Sequence, residues 1–130
     1  MRDTFELVRD YINDRKWLLT ILPLFCILLF VTTLSFPHKA TLKTEDYTYI
    51  GNVLNDAPDG QGTLTYKNGD TYKGHFKQGK FDKKGTFYSK NGKWHYTGSF
   101  SGGLANGQGV MTTPDGKRHD VSYKNGILSK

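Results

Sequence analysis

Three kinds of residue in this 130-residue chain could support chemistry. The first is the glycine-dense run Gly102-Gly103-Leu104-Ala105-Asn106-Gly107-Gln108-Gly109, which offers the outline of a phosphate cradle. A phosphate loop needs a strand before it, a helix after it, and a Lys-Ser/Thr pair or a ribose-binding acid. These glycines instead recur at a fixed spacing elsewhere in the chain. The second kind is titratable. His75, His95 and His119 fall at three different positions of that recurring pattern, so nothing gathers them as metal ligands. Asp56, Asp59, Asp70, Asp82 and Asp115 stand near turns, where Asp bonds local backbone. No Ser–His–Asp or Cys–His grouping has a supporting context, and the single Cys26 excludes an intrachain disulfide or a cysteine-cluster metal site. No catalytic residue, cofactor or metal is expected. The third kind is cationic: Lys73, Lys77, Lys80, Lys83, Lys84, Lys90 and Lys93. Residues 39–130 hold 14 Lys+Arg against 8 Asp+Glu, the whole of the +6 net charge. Clustered ammonium groups attract phosphate-rich or acidic surfaces. The competing reading is that they keep a sheet soluble and unaggregated.

The elements that must carry these lysines follow a period. Tyr72-Lys73-Gly74-His75-Phe76 returns as Tyr96-Thr97-Gly98-Ser99-Phe100, and is foreshadowed by Tyr49-Ile50-Gly51-Asn52-Val53. Steps of 23 and then 24 residues indicate a repeat architecture. A last, partial unit, His119-Asp120-Val121-Ser122-Tyr123, is in register but has Val121 at the glycine position. Within each unit the side chains alternate with period two, so Tyr72, Gly74 and Phe76 share one strand face and Lys73, His75 and Lys77 the other. Gly in a strand interior marks a close approach, here expected from a ring on a neighbouring strand. Second strands align as Gly62-Thr63-Leu64, Gly85-Thr86-Phe87 and Gly109-Val110-Met111. Asn68-Gly69, Asn91-Gly92 and Asp115-Gly116 supply the positive φ angles of hairpin turns, and Gly79, Gly103 and Gly126 mark the alternate joints. His95 reads as the inserted residue behind the 24-residue step, a candidate bulge.

These residues resemble the MORN repeat (membrane occupation and recognition nexus) family, whose pattern is Tyr-x-Gly, an aromatic and a Gly, Gly-x-Gly, then another Gly. The match covers about residues 47–126, with Val53, Lys83 and Val121 as departures. The resemblance implies an all-β fold, an elongated single antiparallel sheet of repeated hairpins, used as an interaction module without catalytic residues. It also implies links to acidic phospholipids in some members and self-association or docking in others. A sheet one layer thick has little to bury rings against except other rings and glycines. Any left exposed would form an amphipathic recognition surface. Tyr49, Tyr72, Phe76, Tyr96, Phe100 and Tyr123 are the candidates. The last strand, flanked by Lys117, Arg118 and Lys124, either is protected by charge or pairs with a partner.

The N-terminal third reads differently. Residues 17–36, WLLTILPLFCILLFVTTLSF, carry no charge. Twenty residues at about 1.5 Å each span about 30 Å, the thickness of a hydrocarbon core. A cleaved signal peptide is the rival, but His38 and Ala40 make a poor cleavage site. One transmembrane helix is expected, preceded by a cytoplasmic tail (residues 1–16) and followed by a polar linker (37–46) and the β domain (47–130). The tail is either a short interfacial helix or frayed. Arg2, Arg9, Arg15 and Lys16 precede the span, and Lys39 and Lys43 follow it. That asymmetry places the N-terminus in the cytoplasm and the β domain outside a plasma membrane. The expected role is a single-pass, non-enzymatic scaffold or accessory subunit that binds a protein or itself at the membrane. The alternative is binding of anionic lipid or acidic polymer through the lysines. Nucleic acid is not expected, because the aromatics are needed on the other face.

Overall fold

The computed structural model describes residues 6, 9, 16–33 and 35–129, with helix side chains described over 21–31. The chain divides into two units, Met1–Ser35 and Phe36–Lys130. The first contains helix α1, Lys16–Thr33, 18 residues with Pro23 inside. It ends short of the Phe36 expected from the apolar run. The side chains from Ile21 to Val31 are exposed. Among the described residues no helix is long and apolar enough to cross a membrane. Apart from Glu6, Arg9 and Lys16, the expected tail lies outside the described residues.

The second unit is a nine-stranded antiparallel sheet in which every strand pairs with its sequence neighbours. The strands are β1 (His38–Lys43), β2 (Tyr47–Leu54), β3 (Ala57–Tyr66), β4 (Thr71–Lys77), β5 (Lys80–Ser89), β6 (Trp94–Ser101), β7 (Leu104–Thr112), β8 (Arg118–Lys124) and β9 (Ile127–Ser129). The segment expected to be a linker therefore begins the sheet. Its sequence explains why. Ala40-Thr41-Leu42 pairs with β2 as Gly62-Thr63-Leu64 pairs with β4, putting Ala40 opposite Gly51 and Leu42 opposite Tyr49. β1 is thus half a repeat, disguised by Ala in place of Gly.

Register aligns like with like. One row of paired residues runs Ala40, Gly51, Gly62, Gly74, Gly85, Gly98, Gly109, Val121 across eight strands. The row beside it runs Leu42, Tyr49, Leu64, Tyr72, Phe87, Tyr96, Met111, His119. The ring over Gly62, Gly85 and Gly109 comes from the neighbouring strand, as expected, and the same ring also covers the glycine two residues on in its own strand. Tyr72 folds down its own strand over Gly74 and over Gly85 opposite. A Cβ on Gly74 would stand 2.5 Å from the Gly85 Cα and 2.7 Å from the Tyr72 phenol oxygen. Tyr49 covers Gly51 and Gly62 in the same way, and Tyr96 covers Gly98 and Gly109. Each phenol then donates to the carbonyl three residues on: Tyr49 to Asn52 (2.6 Å), Tyr72 to His75 (3.0 Å), Tyr96 to Ser99 (3.4 Å). Pairing shifts at the same place in each unit, between Gly51 and Val53, Gly74 and His75, and Gly98 and Phe100. These are the bulges of the sheet. His95 is not one, since it pairs regularly with Tyr88 and Thr112. The extra residue of the 24-residue step is absorbed at the β5–β6 turn, where the ladder extends to Ser89 opposite Trp94 and Lys93 takes a φ of 54°.

The core is a relay of rings. Phe76 sits edge-on to both Tyr49 (4.9 Å) and Tyr72 (5.1 Å), and Phe100 to both Tyr72 (5.0 Å) and Tyr96 (5.4 Å); Tyr123 closes the series on Tyr96 (5.2 Å). Each phenylalanine thus joins the tyrosine of its own unit to that of the unit before. An edge-to-face pair adds about 0.5–1.5 kcal/mol beyond area burial. Neighbouring units are coupled in the nearest-neighbour manner of repeat proteins. The joint glycines add backbone bonds in the same direction: Gly79 N–H to Pro58, Gly103 to Phe81, Gly126 to Ala105.

Candidate functional site

The six rings expected to offer a recognition face are brought together, but as the core. Tyr49, Tyr72, Phe76, Tyr96 and Phe100 are buried, with Tyr49, Tyr72 and Phe76 at 0% exposure, and Tyr123 is half-buried. Glycine accounts for the difference. The rows without Cβ atoms let the tyrosines lie flat on the backbone, so a single layer buries its own aromatics. The phenols report this environment. Burial pushes Tyr72 up to about 12, with the Asp82 charge adding to the rise and an Asp82 backbone hydrogen bond opposing it. Burial also raises Tyr49, helped by Asp59, and raises Tyr96.

The seven lysines are all exposed, yet they do not form one patch. Lys77 and Lys80 face each other across the β4–β5 turn. Lys90 and Lys93 lie beyond the far end of β5, ten residues of strand away or about 30 Å. Lys83 occupies the bulge at a φ of 54°, where Gly60 and Gly107 stand in the other units. Only Lys73 and Lys84 project from the middle of the polar face, opposite Thr63 and Thr86, and Ser99, respectively.

The sequence separates this polar face through Lys73, His75 and Lys77 but does not single out its hydroxyl row. Its central row runs Thr41, Ile50, Thr63, Lys73, Thr86, Thr97, Val110, Asp120. The Thr86 and Thr97 hydroxyls share a hydrogen bond of 3.0 Å. At one end of the row a hollow of about 590 Å³ lies between Lys39 and Lys73, walled by Asn52, Gln61, Thr41 and Thr63 and floored by the Gly51–Gly62 backbone. Towards the other end a second hollow of about 360 Å³ is lined by His95, Thr97, Val110, Thr112 and Arg118. Between them His75 Nδ1 stands 3.5 Å from the Asp82 carboxylate without a hydrogen-bond partner. The threonines could have signalled this face, since they alternate with the core residues in every unit. They read instead as ordinary strand formers. Among the described residues, no three His, Cys, Asp or Glu are grouped to hold a metal ion.

A single-layer meander of hairpins, locked by tyrosines lying over paired glycines, defines a repeat protein that presents one polar face and buries the other. The MORN repeat family model matches residues 49–71, 72–94 and 96–118, just over half the chain. The chain belongs to that family. Among curated proteins it is similar to the inactive protein tyrosine kinase pTKL of Plasmodium berghei, 37% identical over 68 residues and 48% of this chain. It is also similar to alsin of Rattus norvegicus and of Homo sapiens, each 33% identical over 89 residues and 65% of this chain. The aligned segment is 5% of each relative's length, so the likeness concerns only a small part of those proteins.

Proposed function

We propose that this chain is a non-enzymatic, single-pass membrane protein whose MORN sheet holds a protein partner at the bilayer. The observation that carries the anchor is in the sequence: residues 17–36 are uncharged and apolar-dominated. The exposed side chains of α1 from Ile21 to Val31 agree with it, since a helix apolar all round requires an apolar surrounding. The proposed span includes residues beyond those whose side chains are described. The excess of Arg and Lys before residue 17 supports an extracytoplasmic position for the sheet at a plasma membrane. Binding rather than catalysis is the reading supported by a sheet whose interior is occupied by repeat-to-repeat packing and whose outer face is hydroxyl-rich.

The test is extraction. The full-length protein should stay with membranes after alkaline carbonate washing, and a cysteine placed at Asn91 should react with an impermeant maleimide in intact cells. Release by carbonate would defeat the anchor. Labelling at residue 91 only after lysis would reverse the topology.

A further inference from the structure

We propose that the polar trough of the sheet binds an acidic polysaccharide, a hydroxyl-rich chain bearing carboxylates at intervals. The inference shares with the proposed function only the premise that the sheet works by binding, and it does not depend on the anchor.

Shape comes first. The two hollows lie on the same face and are joined by the row from Thr41 to Asp120, which crosses eight strands. At about 4.8 Å per strand that row extends about 34 Å, room for several sugar rings laid across the strands. Chemistry comes second. Threonine hydroxyls and the carboxamides of Asn52 and Gln61 both donate and accept, as sugar hydroxyls require. Lys39 and Lys73 flank one hollow and Arg118 the other, so cationic groups are spaced rather than continuous. A polymer with a phosphate at every residue would need a denser run of cations, and a single strand of nucleic acid would need a ladder of aromatic platforms. This face exposes one ring, Tyr88, itself set against His95 at 5.3 Å. A protein helix would require apolar anchors, and the central row supplies only Ile50 and Val110. Charge complementarity therefore selects a ligand that is anionic and polyhydroxylated at once. Lys39, outside the lysine cluster read from the sequence, becomes a principal contact.

The experiment uses the full-length protein in neutral detergent and polygalacturonate as the probe, at low and moderate salt. The wild type should bind, more weakly as salt rises. Lys39→Gln with Lys73→Gln should weaken binding about tenfold, consistent with losing two charge-assisted contacts. Lys90→Gln with Lys93→Gln, in the β5–β6 turn and outside the lining of either hollow, should change it by less than about twofold. Thermal melting of both variants should match the wild type, because all four side chains are exposed. Thr63→Val with Thr97→Val should weaken binding with the salt dependence unchanged. The proposal is overturned if the wild type fails to bind, or if both lysine pairs matter equally. It is also overturned if neutral dextran competes as well as polygalacturonate. Binding to phosphatidylserine vesicles lost in the Lys39/Lys73 variant, with polygalacturonate ignored, would reassign the trough to a lipid headgroup. Carbonate release of a protein that still binds polygalacturonate at this site would support the trough while defeating the anchor.

Discussion

The two faces of this sheet are built from the same strands, residue by alternate residue, yet they answer to different constraints. On the buried face each unit repeats the last: a tyrosine over a pair of glycines, then a ring wedged between successive tyrosines. On the polar face the row holds Thr at β1, β3 and β5 and Val at β7, but Ile, Lys, Thr and Asp at the strands between. A face that must pass the same ring contact from hairpin to hairpin has almost no freedom. A face that meets solvent or a ligand has much, and the variation there is where specificity can be placed. Recurrence in this protein therefore marks structure, and its absence marks the surface available for function.

The most severe way to test that division is Gly74→Val. The added Cβ meets the Gly85 Cα at 2.5 Å and the Lys84 carbonyl oxygen at 2.8 Å, and backbone cannot swing aside as a side chain can. Overpacking costs about 1–3 kcal/mol, and this contact belongs at or above the top of that range. Chemical denaturation should show a loss of about 3 kcal/mol or no cooperative transition at all. A melting curve equal to the wild type would mean that the glycine row is dispensable and that the face assignment fails.

A gentler probe titrates the buried face without altering the sequence. The Tyr72 pKa is raised to about 12, whereas an unfolded tyrosine titrates near 10. A group raised in the folded state contributes its full stability below the unfolded value and loses it as pH climbs through the folded one. Stability should therefore hold up to about pH 10 and fall between about pH 10 and pH 12, by about 3 kcal/mol from this residue alone. Tyr72→Phe should flatten that fall, at a cost near neutrality of about 1 kcal/mol for the lost hydrogen bond to His75. An alkaline fall that is unchanged in Tyr72→Phe would place the titrating group elsewhere.

What the sequence made legible follows the same line. The hairpin order, turn glycines and face assignment of Tyr72, Gly74 and Phe76 could be read because a period of about 23 residues forces like residues into line. β1 could not, because Ala40 interrupts the glycine signature and only its pairing with Gly51 reveals the half-repeat. The rings were recognised as one set, but their burial depended on tyrosines folding over their own hairpins, a side-chain choice that alternation alone does not specify. The lysines looked like a cluster because they are close in sequence. An antiparallel strand carries residues ten apart to opposite ends of the sheet, whereas Lys39 and Lys73, 34 residues apart in the chain, line the same hollow only through register.

The smallest expected effect completes the comparison and is the most discriminating for the division between faces. Lys73 and Gly74 are adjacent, share a strand and are separated only by the direction in which they point. Lys73→Val places the same valine side chain one residue away, on the exposed row between Thr63 and Thr86. Surface substitutions of this sort stay within about 0.5 kcal/mol, and a β-branched residue suits a strand, so stability should be unchanged or slightly improved. The same variant removes one of the two ammonium groups from the larger hollow. It should therefore weaken polygalacturonate binding while leaving the melting transition in place. Gly74→Val should behave in the opposite way, losing fold and binding together. A destabilised Lys73→Val would show that the polar face is packed against something within the chain, and the separation of a structural from a functional face would have to be abandoned.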